Sequence, residues 1–252
     1  MTSDLSHAIA SGATVVTPNH RLALALKREF DDAQAAAGLL VWNSADILPF
    51  SAYVERIYED ALHSDLARGV DLPLLLTPAQ ELAVWEHIVR GSEFGSRLLA
   101  LHETARLARE AWQLTQAWHL GSQINNYSLD DDSRAFLEWM RRYERTSKQD
   151  GHTDVARLPD IVVPLLGRSQ FETPKTLIGY GFDVITPQHT AFFSALTAAG
   201  CNVSFAGAQP RPGVARRVAC KDSRDEIHRA AAWARMQLEQ GLSSVGVVVP
   251  DL

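Results

Sequence analysis

The segment from Lys175 to Gly207 constrains the fold of this chain more than any other stretch. It contains a short apolar run at Thr176–Ile178, the dipeptide Thr186-Pro187, and a second apolar run from Val203 to Ala206. Threonine is a good N-cap and proline suits the first helical position, because its missing N–H would have no partner there. The glycine at position 200 then ends the helix. The segment therefore predicts buried strand, loop, helix and buried strand, a βαβ unit with a parallel sheet behind it.

The loop that follows the first of these strands contains Gly179, Tyr180 and Asp183. Parallel sheets bind ligands outside the carboxyl ends of their strands, so a site in this domain is expected here. A nucleotide-hydrolysing sheet needs an acid directly after the strand to hold Mg²⁺, and Gly179 and Tyr180 cannot supply one. One interpretation is a sheet retained for its shape. Another is an α/β enzyme with its site in the Gly179–Asp183 loop and Asp183 as acid or base.

The chain opens with another strand and helix. Ala13–Thr17 predicts a strand, Asn19 an N-cap, and Gly38 the end of the following helix. A P-loop would place Gly-x-x-x-x-Gly-Lys-Ser/Thr between strand and helix, and no segment of the chain has that spacing. We therefore expect no ATP hydrolysis by this chain, no cofactor and no metal site.

Periodicity divides the rest of the chain. Further strands are predicted at 39–42, 214–219 and 245–249. Helices are predicted at 50–66, from a capping box at Thr77 onward, and at 97–120, 132–149, 154–166 and 223–241. A second capping box, Ser223/Glu226, begins the last of these helices. No strand is predicted between 77 and 166. We assign 1–70 to the first part of an α/β domain, 71–170 to a helical insertion, 171–210 to its second part, and 211–252 to the start of a second, truncated α/β domain.

Composition limits the function classes. The 252 residues carry a net charge of −6, so nucleic-acid binding would have to rest on local basic patches. The two cysteines lack metal-ligand spacing, the N-terminus lacks the pattern of a signal peptide, and no apolar run approaches the ~18 residues of a membrane span. The sequence predicts a cytoplasmic protein.

One predicted helix carries a basic patch beside two aromatic residues, Trp139 and Tyr143. Basic groups with neighbouring aromatic rings suit single-stranded nucleic acid. The alternative is a solvated helix face with both rings in the core. The basic residues of this patch are Arg141, Arg142, Arg145 and Lys148.

The same loops resemble motifs of UvrD-type superfamily-one helicases. Their Walker B region has an Asp-Glu pair, then Gln-Asp, then a further Gln. Asp183 matches the later Asp and Gln188 the further Gln, while Gly179 and Tyr180 replace the pair. Residues 17–21, Thr-Pro-Asn-His-Arg, resemble motif Ia, which touches single-stranded DNA; a capped loop with an exposed arginine is the alternative.

The pattern is similar to the inactivated helicase-like half of AddB-type, RecC-like recombination nucleases. This resemblance implies a RecA-like parallel sheet, related to P-loop NTPases but with degenerate Walker motifs, interrupted by an all-helical insertion. It implies a non-catalytic fragment of a helicase-nuclease for DNA double-strand-break repair, which binds or threads DNA and docks a motor subunit. Thr17, Asn19 and Arg21 would then contact DNA, and a nuclease domain would lie beyond residue 252. A protein-interaction scaffold without DNA affinity is a further alternative.

Overall fold

The computed structural model describes residues 3–64, 71–95, 99–121, 123–124, 130–168, 173–207, 215–243 and 245–249. The chain forms two compact units, residues 1–208 and residues 209–252. The helices and strands, in chain order, are α1 (Ser3–Ala10), β1 (Thr14–Thr17), α2 (His20–Ala36), β2 (Ile47–Pro49), α3 (Phe50–His63), β3 (Leu74–Leu75), α4 (Pro78–Arg90), α5 (Leu101–Ala117), α6 (Asp131–Gln149), β4 (His152–Thr153), α7 (Leu158–Val162) with a 3₁₀ turn (Val163–Leu165), β5 (Thr176–Tyr180), α8 (Pro187–Ala198), β6 (Asn202–Ala206) and α9 (Ser223–Glu239).

The described part of the first unit contains a four-stranded sheet in the order β2-β1-β5-β6, with every pair parallel. Val15 lies opposite Ile47 on one side and Ile178 on the other. The first strand of the chain therefore lies beside the strand that opens the predicted βαβ unit. The protein is therefore an α/β protein with a parallel sheet.

Helices cover both faces of this sheet, because side chains alternate between the faces along each strand. Val15 and Ile178 pack with α1 and α2, in a cluster that includes Leu26 and Phe30. Val16 and Leu177 pack on the other side, with α3, α7 and α8. The two faces account for two of the three hydrophobic clusters in the described residues.

The third cluster lies in a block of helices, α4, α5 and α6, that separates α3 from β5 in the chain. The ring of Trp85 stacks on Tyr143 with centroids 4.3 Å apart, and Trp112 packs against both. A small parallel pair, β3 with β4, closes the block, since Leu74 N donates to Gly151 O at 2.8 Å. We predicted no strand between 77 and 166; β4 is too short for its pattern to show.

The helix ends follow the capping signals. Thr77 and Gln80 form the predicted capping box, and Thr186 caps α8 with Pro187 at its first turn. Asn19 caps α2, and Gly38 and Gly200 adopt positive φ after their helices. No helix among the described residues is both long and apolar enough to cross a membrane.

Two predictions about strands in the first unit are wrong. Residues 39–42 form no strand, and Leu40 and Val41 are 95% and 87% exposed. The second strand is β2 instead, held where Val15 N donates to Asp46 O at 2.8 Å. β6 exists but is an exposed edge strand rather than a buried one, because no further strand pairs with it.

The second unit also departs from the predicted pattern. Residues 215–219 and 245–249 form no strand and are largely exposed. Its helix α9 is present, but Asp222, not Ser223, caps it by accepting from Asp225 N. The predicted Ser223/Glu226 capping box is therefore wrong by one position.

Candidate functional site at the carboxyl edge of the sheet

The loop after β5 packs against the first turn of α2. Gly181 N donates to Ala206 O at 2.9 Å, and Gly181 has a φ of 75°. The positive φ favours glycine at this position, and a Cβ there would lie 2.6 Å from Leu22 Cδ2. This contact brings the two predicted motif loops, after β1 and after β5, together at one edge of the sheet.

The residues predicted after β1 have different environments. Thr17 is fully buried, and its hydroxyl donates to Asn19 O at 2.9 Å. The Asn19 side chain accepts from Leu22 N at 3.0 Å while remaining exposed, and Arg21 is exposed. The prediction of a DNA contact through Thr17 therefore needs correction, because its side chain points into the protein. Asn19 and Arg21 remain accessible.

Gly179 and Tyr180 belong to β5, and not to the loop that the sequence predicts after it, because both pair with β6. The space beside Gly179 is filled. A Cβ at Gly179 would lie 2.6 Å from two ring carbons of Phe205, so any side chain there would have to displace that ring. Phe205 itself packs edge-on against Phe193, with centroids 5.1 Å apart. Tyr180 is buried in the core on the opposite face of the sheet. Neither residue offers a ligand to a metal or a nucleotide.

The two remaining motif residues also differ. Asp183 is exposed in the loop after β5. Gln188 is buried at the start of α8, and its amide donates to Ala156 O at 2.8 Å and to Asp160 Oδ2 at 2.7 Å. Gln188 thus attaches α8 to α7 and to the segment that precedes α7. Its side-chain amide nitrogen therefore donates both of its hydrogen bonds within the protein.

A cavity of about 270 Å³ lies beside Gln188, between the sheet domain and the helical block. Phe50 and His189 line it on one side, with Gln113 of α5 on the other. The His189 ring packs edge-on against Phe50, with centroids 4.5 Å apart, and burial lowers the pKa of this histidine. Sequence reasoning missed His189, although its place three residues after Thr186 marks it as part of the α8 cap.

Three of the four basic residues predicted to form a patch on α6 are exposed. Arg141, Arg145 and Lys148 are exposed, whereas Arg142 donates to Gly91 O at 3.0 Å. Glu138 and Glu144 are exposed on the same helix and reduce its net positive charge. Trp139 is 7% and Tyr143 0% exposed, so these rings belong to the core and cannot stack on bases. The alternative given for Trp139 and Tyr143, that both rings belong to the core, is therefore correct.

A buried polar group lies at the centre of the helical block. Asp154 is fully buried and accepts from Tyr143 Oη at 3.1 Å and from Arg157 Nε at 2.8 Å. The Arg157 guanidinium lies over the rings of Trp112 and Tyr143. Nothing in the spacing of these residues indicates the pairing, which depends on β4 returning the chain to α6.

Glu81 is the second buried acid of this block. Its carboxylate lies 3.5 Å from Arg109 Nε, and its side chain is 4% exposed. Burial, and then the charge of Asp154, raise the pKa of Glu81 to about 7, against the opposing effect of Arg109. A carboxyl group that titrates near neutrality therefore lies inside the protein.

Comparison with known proteins assigns neither a family nor a function to the chain. No protein-family model matches the chain, and no curated protein sequence matches it. Among the described residues, no group of three or more His, Cys, Asp or Glu side chains is placed to hold a metal ion. Functional inference therefore rests on the geometry of the described residues.

Proposed function

We propose that this chain is a non-catalytic, helicase-like body that handles DNA within a repair or recombination helicase-nuclease. The observation that carries the proposal is the packing at Gly179. A nucleotide-hydrolysing sheet holds Mg²⁺ through an acid at the carboxyl end of such a strand, whereas here Gly179 lies near the end of β5 and the Phe205 ring fills the space beside it. A parallel sheet with a helical block between α3 and β5 also supports a RecA-like arrangement with an inserted helical subdomain.

Two exposed surfaces would contact DNA in this proposal. Asn19 and Arg21 lie at the carboxyl edge of the sheet, in the loop that resembles motif Ia. Arg141 and Arg145 lie one helical turn apart on α6, where both face solvent. Since the chain has a net charge of −6, binding would depend on these local groups and would weaken as salt screens them.

The test is fluorescence anisotropy with a labelled single-stranded oligonucleotide, titrated at several salt concentrations. We expect the Arg141→Gln/Arg145→Gln variant to bind more weakly. The slope of log K against log salt should flatten by about 1.4, because each lost phosphate contact on a single strand removes about 0.7. Lys148 is left unchanged because it also lines a separate cleft.

A control variant carries the same change of charge elsewhere. Arg168 and Arg224 are exposed and lie outside both proposed surfaces, so Arg168→Gln/Arg224→Gln should keep the wild-type slope. Equal slopes for all three proteins would remove α6 from the proposal. Absence of binding at low salt would favour the interaction scaffold, and ATP turnover by the purified protein would overturn the non-catalytic assignment.

A further inference from the structure

An apolar groove of about 500 Å³ lies between α5 and α6 in the helical block. Leu107 and Ala111 of α5 line it on one side, and Phe136 and Trp139 of α6 line it on the other. Phe94, which follows α4, also lines the groove and meets the Trp139 ring edge-on, with centroids 6.4 Å apart. The packing of the third hydrophobic cluster therefore leaves an open apolar space between these two helices.

The groove continues into a stripe of exposed apolar side chains along α5. Leu107 is 56% and Leu114 60% exposed, and Trp118, directly after the helix, is 43% exposed. With Ala111, these residues recur at intervals of four, three and four positions, so they lie on one face of the helix. At 1.5 Å per residue this face is about 16 Å long, or about three turns. Single exposed apolar residues are common, but a stripe that adjoins an apolar groove is typical of an interaction surface.

One end of the groove is acidic. Asp131 and Asp132, in the first turn of α6, both line the groove and are exposed. The arginines in the described parts of α5 and α6 that border the groove are already engaged. Arg134 pairs with Asp131, Arg106 pairs with two glutamates of α5 at 2.9 and 2.5 Å, and Arg109 is directed toward α4. This end of the groove therefore keeps a net negative charge.

We infer that this face docks an amphipathic helix of a partner protein, with basic side chains beside its apolar stripe. A helix fits because apolar residues spaced four, three and four positions apart form a ridge against which a second helix packs. The carboxylates of Asp131 and Asp132 select the charge of the partner, since lysines or arginines on its flank would lie against them.

The same charges disfavour other occupants. Nucleic acid and anionic lipid would bring negative phosphates against the acidic end of the groove. A second copy of this face would offer the flank of α5, where Glu103 and Glu110 are acids and Arg106 is already paired with both. The inference does not depend on the DNA-handling proposal, because the partner here is a helix and the surface is acidic.

The test uses a labelled synthetic helical peptide of about 18 residues, with leucines at i, i+4, i+7 and i+11 and lysines on both flanks. A second peptide has glutamates in place of the lysines, and a third contains the residues of the first in an order without the leucine stripe. Fluorescence anisotropy measures binding to the full chain. We expect the lysine peptide to bind, the glutamate peptide to bind about fivefold more weakly or less, and the reordered peptide to show no saturable binding.

The apolar stripe is tested with Leu107→Ser/Leu114→Ser. Both side chains are exposed, so the fold should be kept, and affinity for the lysine peptide should fall by about tenfold or more because less apolar area is buried on binding. Leu24→Ser/Leu62→Ser is the matched control. These leucines of α2 and α3 are 40% and 41% exposed and lie outside the groove, so this variant should bind as wild type does.

The acidic end is tested with Asp131→Asn/Asp132→Asn. Because exposed ion pairs contribute little each, affinity for the lysine peptide should fall by about two- to tenfold, and its advantage over the glutamate peptide should disappear. Asp32→Asn/Glu144→Gln makes the same change of net charge at exposed positions away from the groove and should leave the advantage unchanged.

Several results would overturn the inference. These are a lysine peptide that does not bind, a reordered peptide that binds equally well, and a leucine-stripe variant that binds no worse than its control. Self-association of the wild-type protein in light scattering, lost in Leu107→Ser/Leu114→Ser, would assign the face to a second copy instead. Binding of single-stranded DNA should be the same in this variant and in wild type, so failure of the DNA-handling proposal and failure of this inference are distinguishable.

Discussion

Glu81 offers the sharpest test of the buried polar centre in the helical block. Its side chain is 4% exposed and lies 3.5 Å from the Arg109 guanidinium, and the charge of Asp154 opposes its ionisation. Replacing Glu81 with glutamine keeps the shape of the protonated carboxyl and removes its titration. Any pH-dependent difference between the two proteins then reports the carboxyl group itself.

The magnitude follows from the raised pKa. The pKa of Glu81 is 4.5 in the unfolded chain and about 7 in the folded protein, because burial disfavours the carboxylate. Between these values the folded state binds the proton more tightly, so stability falls as pH rises. Relative to Glu81→Gln, wild-type protein should lose about 2 to 3 kcal/mol of unfolding free energy between pH 5 and pH 8, at about 1.4 kcal/mol per pKa unit.

Urea unfolding followed by tryptophan fluorescence measures this difference, since Trp85 and Trp112 are fully buried in the same block. Glu138→Gln, at an exposed position of α6, is the control and should change the pH dependence by less than about 0.5 kcal/mol. A difference between wild type and Glu81→Gln that stays constant would refute the raised pKa. A wild-type protein that becomes more stable than Glu81→Gln as pH rises would show that the charge of Arg109 outweighs burial.

Two further substitutions test the packing at the sheet edge. Gly179→Asp, which introduces an acid near the end of β5, should cost about 1 to 3 kcal/mol of stability because it displaces the Phe205 ring, and Phe205→Ala in that background should recover part of the loss. Urea unfolding measures both, and a neutral Gly179→Asp would contradict the proposed clash. Gln188→Ala should cost about 1 to 3 kcal/mol, because Ala156 O and Asp160 Oδ2 lose a donor; unchanged stability would show that Gln188 is not a structural link.

Local signals made much of the fold predictable. β1, β5 and their helices follow short apolar runs and caps, and the caps at Asn19, Thr77 and Thr186 are formed as predicted. These features depend on neighbours in the chain, so the sequence carries them directly. The order of α/β elements and the helical block followed from the same patterns.

Features that depend on partners distant in the chain were not predictable in this way. The apolar run at Leu39–Val41 indicates a strand, but β1 pairs instead with β2, next to Asp46, which accepts from Thr14 Oγ1 and Arg56. The side on which Thr17 faces, and the exposure of β6, are decided by the sheet as a whole. Asp154 meets Tyr143 because β4, unrecognised in the sequence, returns the chain to α6.

The residues that match the helicase motifs have positions that bear on how DNA could be bound. Gln188 is buried and donates to Ala156 O and Asp160 Oδ2, and the Thr17 hydroxyl donates within its own loop. These two side chains therefore stabilise the fold and are not accessible to a nucleic acid. The exposed charged and polar groups, such as Arg21 and Arg145, are those that can reach a nucleic acid. Contacts of this kind address phosphates rather than bases, so binding should depend on salt and be nearly independent of base sequence.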